Sequence, residues 1–445
     1  MKNLIICLFI TVSINMSAVD LFVYPGASSP DFSSIATAVD SASDGDRILV
    51  TSGSYSGDIN IIAKSISILP TVSSNSITIQ GDIIVNTDSS VSTKNITISS
   101  AEIIGDIKHE SLYNLETTPY TINFINCSVF GEFNLNADNI ITNIYYSNFH
   151  KSVYLNASLE IVGNIFESSS STMDTVSITN GLCSNGSTLL NSEVKFYANK
   201  LNDYQFKCDL TSSNIITKIH IANNYMRKSI SSTIAILDLN DPTITCLIEN
   251  NTLRFYSQNY YQQNSGDILK STQGMLLLTI RNNLILGDNW ASNTSNYAYS
   301  AFNFATSARN TIFRMENNFF NNNNSLFSGS PYIYGIPYSS LIANNISSNL
   351  YSLSSGSLIV NDSTGIPSAG VLSLTENSGK DIMECRDIDN TQNDIGPWGG
   401  PHSWINYHQN SVGTARVIDI DINSSINSIT NGTLDIKAKS INTNQ

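Results

Sequence analysis

Five six-residue phrases share one alternation of apolar and polar positions: IANNYM from Ile221, IENNTL from Ile248, IRNNLI from Ile280, MENNFF from Met315 and IANNIS from Ile342. With the second asparagine as reference, the column reads Asn224, Asn251, Asn283, Asn318 and Asn345, and weaker copies extend it back to Asn199, Asn164, Asn148 and Ser128. Three positions earlier stand Ile125, Tyr145, Ile161, Phe196, Ile221, Ile248, Ile280, Met315 and Ile342, every one large and apolar. That column is expected to face a core. Intervals of 16 to 35 residues make the unit elastic, so its extra residues fall between the phrases.

One position before the reference stand Cys127, Ser147, Gly163, Ala198, Asn223, Asn250, Asn282, Asn317 and Asn344. Small residues and asparagine mark a tight bend, because asparagine tolerates left-handed backbone angles and hydrogen-bonds turns locally. Stacked asparagines also bond along a column of strands. Short β-segments, asparagine-filled bends and an elastic period predict a solenoid. The rival, a β-sandwich with asparagine-rich loops, gives no reason to repeat one bend in register.

Composition sharpens this picture. The 445 residues are 41 % apolar and only 13 % charged, which excludes a disordered chain. A formal charge of -14 argues against a nucleic-acid surface, which needs clustered lysine and arginine. Residues 1–18, with Lys2, an apolar run from Leu4 to Ile14 and small residues near Ala18, read as a secretory signal peptide. The expected location is therefore secreted or cell-surface, with no membrane span. Cys127, Cys183, Cys208, Cys246 and Cys385 remain, widely spaced and without a CxxC pair. They read as buried thiols, with Cys183 and Cys208 as the one candidate disulfide.

Both ends carry a resemblance. Phe32, Ile35 and Val39 share one helical face, and the segment ends at Gly45. Gly45-Asp46, an apolar strand Ile48 to Val50 and Gly53-Ser54-Tyr55 follow, then the apolar runs INII, ISIL, SITI, DIIV and NITIS. Near the other end, Asn393, Asp394, Ile395, Gly396, Trp398, Gly399 and Gly400 follow an Asp-rich stretch, with Pro397 as a departure. These segments resemble secreted right-handed parallel β-helix proteins of the pectin-lyase-like superfamily. The resemblance implies an all-β, right-handed parallel β-helix over 19–404 with a capping helix at its open end, and the residue pattern adds a small β tail over 405–445. In the tail, VIDIDI and TLDIKA alternate as two strands. It says little about chemistry, since that superfamily holds lyases, hydrolases, epimerases, adhesins and phage spikes.

The motif search excludes more than it finds. There is no HExxH, GxSxG or Walker sequence, and neither the paired aspartates with Gly-His-Gly of polygalacturonase-like hydrolases nor the calcium ligands of pectate-lyase-like members. An EF-hand loop started at Asp387 puts Gln392 where glycine belongs and Trp398 where glutamate belongs, so that reading fails. Asp387, Asp389 and Asp394 are left as a hydrogen-bonded terminal turn or an irregular calcium site.

Two positions before the reference, Glu249, Arg281 and Glu316 should stack on successive rungs, on the face opposite the core, with His220 and Arg314 beside them. Two rungs put the carboxylates about 9.6 Å apart, near the ~6.5–9.5 Å of inverting glycosidases. A solvent-exposed ion-pair ladder explains the same residues without catalysis. Two long insertions gather Phe255, Tyr256, Tyr260, Tyr261, Trp290, Tyr297 and Tyr299 beside amides and hydroxyls, a composition suited to sugar rings. Packing of these rings beneath their own loops is the alternative.

Two functions follow as expectations. The first is a secreted repeat protein binding an extracellular polysaccharide or surface glycan, as an adhesin or non-catalytic module; it needs no cofactor and no metal. The second is a polysaccharide lyase or glycoside hydrolase acting through Glu249, Arg281 and Glu316, with Ca2+ as cofactor in the lyase case.

Overall fold

The computed structural model describes residues 18–72, 77–87, 93–111, 120–137, 139–156, 160–168, 173–180, 192–210, 216–228, 234–241, 243–255, 268–287, 302–304, 311–320, 333–334, 346–347, 350–351, 375–382, 385–387, 391–403, 415–422 and 436–442. The chain is a right-handed parallel β-helix. Among the described residues, its strands fall into three parallel sheets of 13, 12 and 11 strands. A coil visits them in turn: Ile66–Pro70 lies in the first sheet, Ile77–Gln80 in the second and Ile83–Thr87 in the third, and Lys94–Ser99 returns to the first. The six apolar runs near the N-terminus are all strands.

The core is a stack of like positions. In the first sheet Ile48, Ile68, Ile98, Phe124, Ile144, Ile161, Phe196, Ile221, Ile248, Ile280 and Met315 pair rung to rung and point inward. β-branched and aromatic side chains suit such a pleated, buried surface. Two members of the expected column shift by one residue. Ile125 and Tyr145 pair with each other on the outer face, and Phe124 and Ile144 occupy the core. The cause is at the bend, where Ser147 takes the asparagine's place and Asn148 is exposed.

The reference column is a hydrogen-bonded ladder. The backbone N–H of Asn164, Asn199, Asn224, Asn251 and Asn283 donates to the Oδ1 of Asn199, Asn224, Asn251, Asn283 and Asn318 in turn, at 2.8–3.0 Å. Each Nδ2 reaches back to the preceding rung, as from Asn251 to the Ile221 carbonyl at 2.9 Å. Ser147 continues the ladder with Oγ, accepting from Cys127 N–H and donating its own N–H to Asn164. The residue before the ladder adopts positive φ at Asn126, Tyr146, Gly163, Ala198, Asn223, Asn250, Asn282 and Asn317. The paired asparagines thus divide the work: the first makes the bend, and the second bonds the rungs.

A second ladder serves the bend into the third sheet. Asp82, Asp106 and Glu132 N–H groups donate to the carboxylates of Asp58, Asp82 and Asp106 at 2.7–2.9 Å. Each acid follows a glycine, and the glycines stack so closely that a Cβ on Gly105 would stand 2.3 Å from the Gly81 carbonyl oxygen. Overpacking against backbone has no cheap relief. Gly105→Ala is expected to lower stability by about 2–3 kcal/mol, read from urea unfolding; an unchanged midpoint would show that the rungs part freely.

At the N-terminal end, Asp20–Val23 forms the outermost strand of the first sheet, and the helix Ile35–Ser41 packs Ile35, Ala38 and Val39 onto the open coil. Phe32 precedes the helix and bridges to Val23 instead of sharing the helical face. Asp46 of the Gly-Asp pair ties both sides together, accepting from Val19 N–H and Ser43 N–H. Tyr55 is buried, with its hydroxyl donating to the Thr51 carbonyl at 3.0 Å.

The C-terminal signature does not form another coil. Its described residues between 375 and 403 cross the bends of the solenoid as a strap. Asn223 Nδ2 donates to the carbonyls of Pro397 and Gly399, and Asn250 Nδ2 to Asn393 Oδ1 and the Asp394 carbonyl. Asn282 Oδ1 accepts from Lys380 N–H. Ile395 packs with Tyr225, Leu284, Leu286 and Phe319 on the outside of the second sheet. Pro397 is accommodated because it acts through its carbonyl. Ala415–Ile422 and Ile436–Asn442 pair as an antiparallel hairpin, matching the two strands expected in the tail.

Candidate functional site

The outer face of the first sheet changes character along its length. One outward column runs Ile125, Tyr145, Val162, Tyr197, Ala222, Glu249, Arg281, Glu316. Its first five members are apolar or aromatic, and its last three are charged. Glu249, Arg281 and Glu316 therefore stand on three successive rungs, as the spacing predicts. Arg281 Nε donates to Glu249 Oε2 at 2.6 Å. His220, two residues before Ala222 on the same face, meets Glu249 Oε1 through Nε2 at 2.7 Å. Its Nδ1 faces the Tyr197 hydroxyl at 2.7 Å and Glu193 at 3.3 Å, and Lys218 pairs with Glu193 at 2.8 Å.

This column is not the solvent-exposed ladder that alternating charges on a sheet face would form. Glu249 and His220 are each only 6 % exposed, and Tyr197 3 %. The strap contributes to the cover. Its His402 ring stacks on Tyr197 with centroids 4.2 Å apart and stands edge-on to His220 at 5.7 Å, and Lys380 Nζ meets Glu316 Oε1 at 2.5 Å.

Burial and pairing compete for each charge. Burial alone raises the Glu249 carboxyl, but the hydrogen bonds and charges of His220 and Arg281 outweigh it and hold the group at about 2. Glu193 follows the same logic with His220 and Lys218, also at about 2. For His220 burial works downward, and the two carboxylates more than compensate, so its pKa is raised above the usual histidine range. A protonated ring donates from both nitrogens, which matches its position between acceptors. Farther along the column, Tyr145 donates its hydroxyl to Glu160, and burial is the leading cause of its raised pKa.

Chemically, Glu249 is a fixed anion. A general acid needs the opposite displacement, toward neutrality. Glu316 stands two rungs away, with Arg281 between them and Lys380 upon it. Tyr197, His220 and Glu249 form a hydroxyl–imidazole–carboxylate chain, the arrangement closest to acid–base machinery among the described residues. Sequence spacing found four members of this neighbourhood, His220 included. It missed Tyr197, which stands in the same column two rungs before Glu249, Glu193, four residues earlier on the strand of Tyr197, and His402, which no periodicity connects to Tyr197.

Among the described residues, no group of three or more His, Cys, Asp or Glu is disposed to hold a metal ion. Asp387 accepts from Gly400 N–H at 2.5 Å, and Asp394 accepts from Asn377 N–H at 2.7 Å, so both carboxylates hold turns of the strap. Asp389 lies outside the described residues, as do Tyr256, Tyr260, Tyr261, Trp290, Tyr297 and Tyr299 and the proposed signal peptide through residue 17; Phe255 closes a strand, Thr252–Phe255. Cys127, Cys208 and Cys246 are buried free thiols, Cys385 is buried, and Cys183 is outside the described residues. No described helix is long and apolar enough to cross a membrane. No family model, curated protein or solved structure matches the chain.

Proposed function

We propose that this protein is a secreted β-helix of the pectin-lyase-like kind that binds an extracellular polysaccharide or surface glycan, as an adhesin or non-catalytic module. The observation that carries this reading is the state of Glu249. It is buried, ionised and bonded to both His220 and Arg281. Such a group stiffens a scaffold and offers no proton to a leaving group. The long parallel solenoid supplies an extended surface, and the aromatic content of the two insertions suits sugar rings.

The test uses the mature chain on a panel of acidic and neutral polysaccharides, with calcium and with chelator. Retention on an insoluble glycan, reduced at least about tenfold by Trp290→Ala (one strong aromatic anchor), is the expected result, with no new reducing ends. The second reading, a lyase or hydrolase, draws on the Tyr197–His220–Glu249 chain. Unsaturated sugars or new reducing ends that vanish in Arg281→Ala and Glu316→Ala would replace binding with catalysis.

A further inference from the structure

The charged face of the first sheet is complete without the strap. Glu193, Lys218, His220, Tyr197, Glu249 and Arg281 hold one another from within the solenoid. The strap adds a ring on Tyr197 and an ammonium on Glu316. Its own hold is mostly polar: amide groups of Asn223, Asn250 and Asn282 meet strap backbone, and Ile395 is its buried apolar anchor.

That closed arrangement also leaves polar atoms unsatisfied. Asn282 Nδ2 is buried with no hydrogen-bond partner, although its Oδ1 holds Lys380 N–H. Thr252 Oγ1 is buried and unpartnered too, in the outward column between Tyr225 and Leu284, the residues with which Ile395 packs. Such atoms cost free energy while water is kept out and cost nothing once it enters. Closure is therefore penalised at two points that opening would relieve.

We propose that the described residues between 375 and 403 are a displaceable cover, and that a neutral glycan competes with them for the face carrying Tyr197. A sugar ring would replace His402 on the Tyr197 ring, since pyranose C–H faces stack on aromatics as the imidazole does. Its oxygens would take the Asn223 and Asn250 amide donors that the carbonyls of Pro397, Gly399 and Asp394 now occupy. Carboxylates Glu193, Glu249 and Glu316 alternate with the cations of this face, which disfavours a polyanion. This inference rests on the glycan-binding reading and adds to the insertion aromatics a second, covered subsite at Tyr197.

The experiment uses the full mature chain. Hydrogen exchange is followed at the amides of 391–403 and of the paired strands Ile216–Ala222 and Thr245–Glu249. Retention on insoluble neutral glycans is measured for the same protein, for Ile395→Ser, which loosens the anchor, and for His402→Ala, which clears the ring and keeps the anchor. Strap amides should exchange at least tenfold faster than the strands. Both variants should raise retention at least tenfold, and Tyr197→Ala in the His402→Ala background should abolish the gain. Strap and strands exchanging at one rate would mean the cover opens only by unfolding, and the inference fails. Fast strap exchange with unchanged retention in both variants would also overturn it, while leaving glycan binding elsewhere on the protein intact. Absence of retention in every form would remove both readings together.

Discussion

Asn251→Ala lowers the free energy of unfolding by about 3–5 kcal/mol. The side chain is fully buried and carries bonds in three directions. Its Oδ1 accepts from the Asn224 N–H and Nδ2, and its Nδ2 donates to the Ile221 carbonyl, the Glu249 carbonyl and Asn283 Oδ1. Alanine satisfies none of these. It strands a backbone N–H and at least one carbonyl in a core that water does not reach, each costing about 1–3 kcal/mol. Aspartate is no rescue, because it keeps the acceptor but loses both donors and brings a charge into the core. Asn148→Ala is the control: Asn148 is exposed and outside the ladder, so its loss should stay within about 0.5 kcal/mol. Urea unfolding of the two variants reads the difference directly. Equal losses would mean the ladder is ornamental.

Much of the fold is legible because it is repetitive. Six apolar runs near the N-terminus became strands, and the paired asparagines marked the bends they make. The ladder's register was legible only where asparagine fills it. At Ser147 a hydroxyl takes the same hydrogen bond, and the neighbouring Asn148 draws a sequence alignment one residue off. The Gly-Asp steps at 57–58, 81–82 and 105–106 were a readable signal of the second ladder, at a spacing of 24 residues. The column Glu249, Arg281, Glu316 followed from the same register. Its cover did not, because part of that cover comes from a segment distant in sequence: His402 lies on Tyr197 and beside His220, and Lys380 reaches Glu316. No local pattern tells Tyr197 that His402 will sit on it.

Glu249→Gln is expected to destabilise the folded chain by about 3–5 kcal/mol near neutral pH, the cost of breaking a buried pair from one side. It leaves the His220 imidazolium and the Arg281 guanidinium facing a neutral amide. Its pH dependence separates this from simple loss of packing. Glu249 is held at about 2 against a usual value of 4.5, so its folded pKa is depressed. The stability it contributes is full above pH 4.5 and is lost as pH falls toward 2, amounting to roughly 3 kcal/mol over that interval. His220 has the opposite sign, because its pKa is raised above 6.5. Its contribution is complete below pH 6.5 and disappears as pH rises through the folded value. The native chain should thus be most stable between these limits. In Glu249→Gln the acid limb loses the part due to Glu249, while Glu193 keeps its own share through Lys218 and His220. The alkaline limb should move to lower pH, since His220 retains one carboxylate instead of two. Urea midpoints measured from pH 3 to 9 for both proteins decide the matter. Parallel profiles, offset but identical in shape, would show that Glu249 acts through its volume and not through its charge.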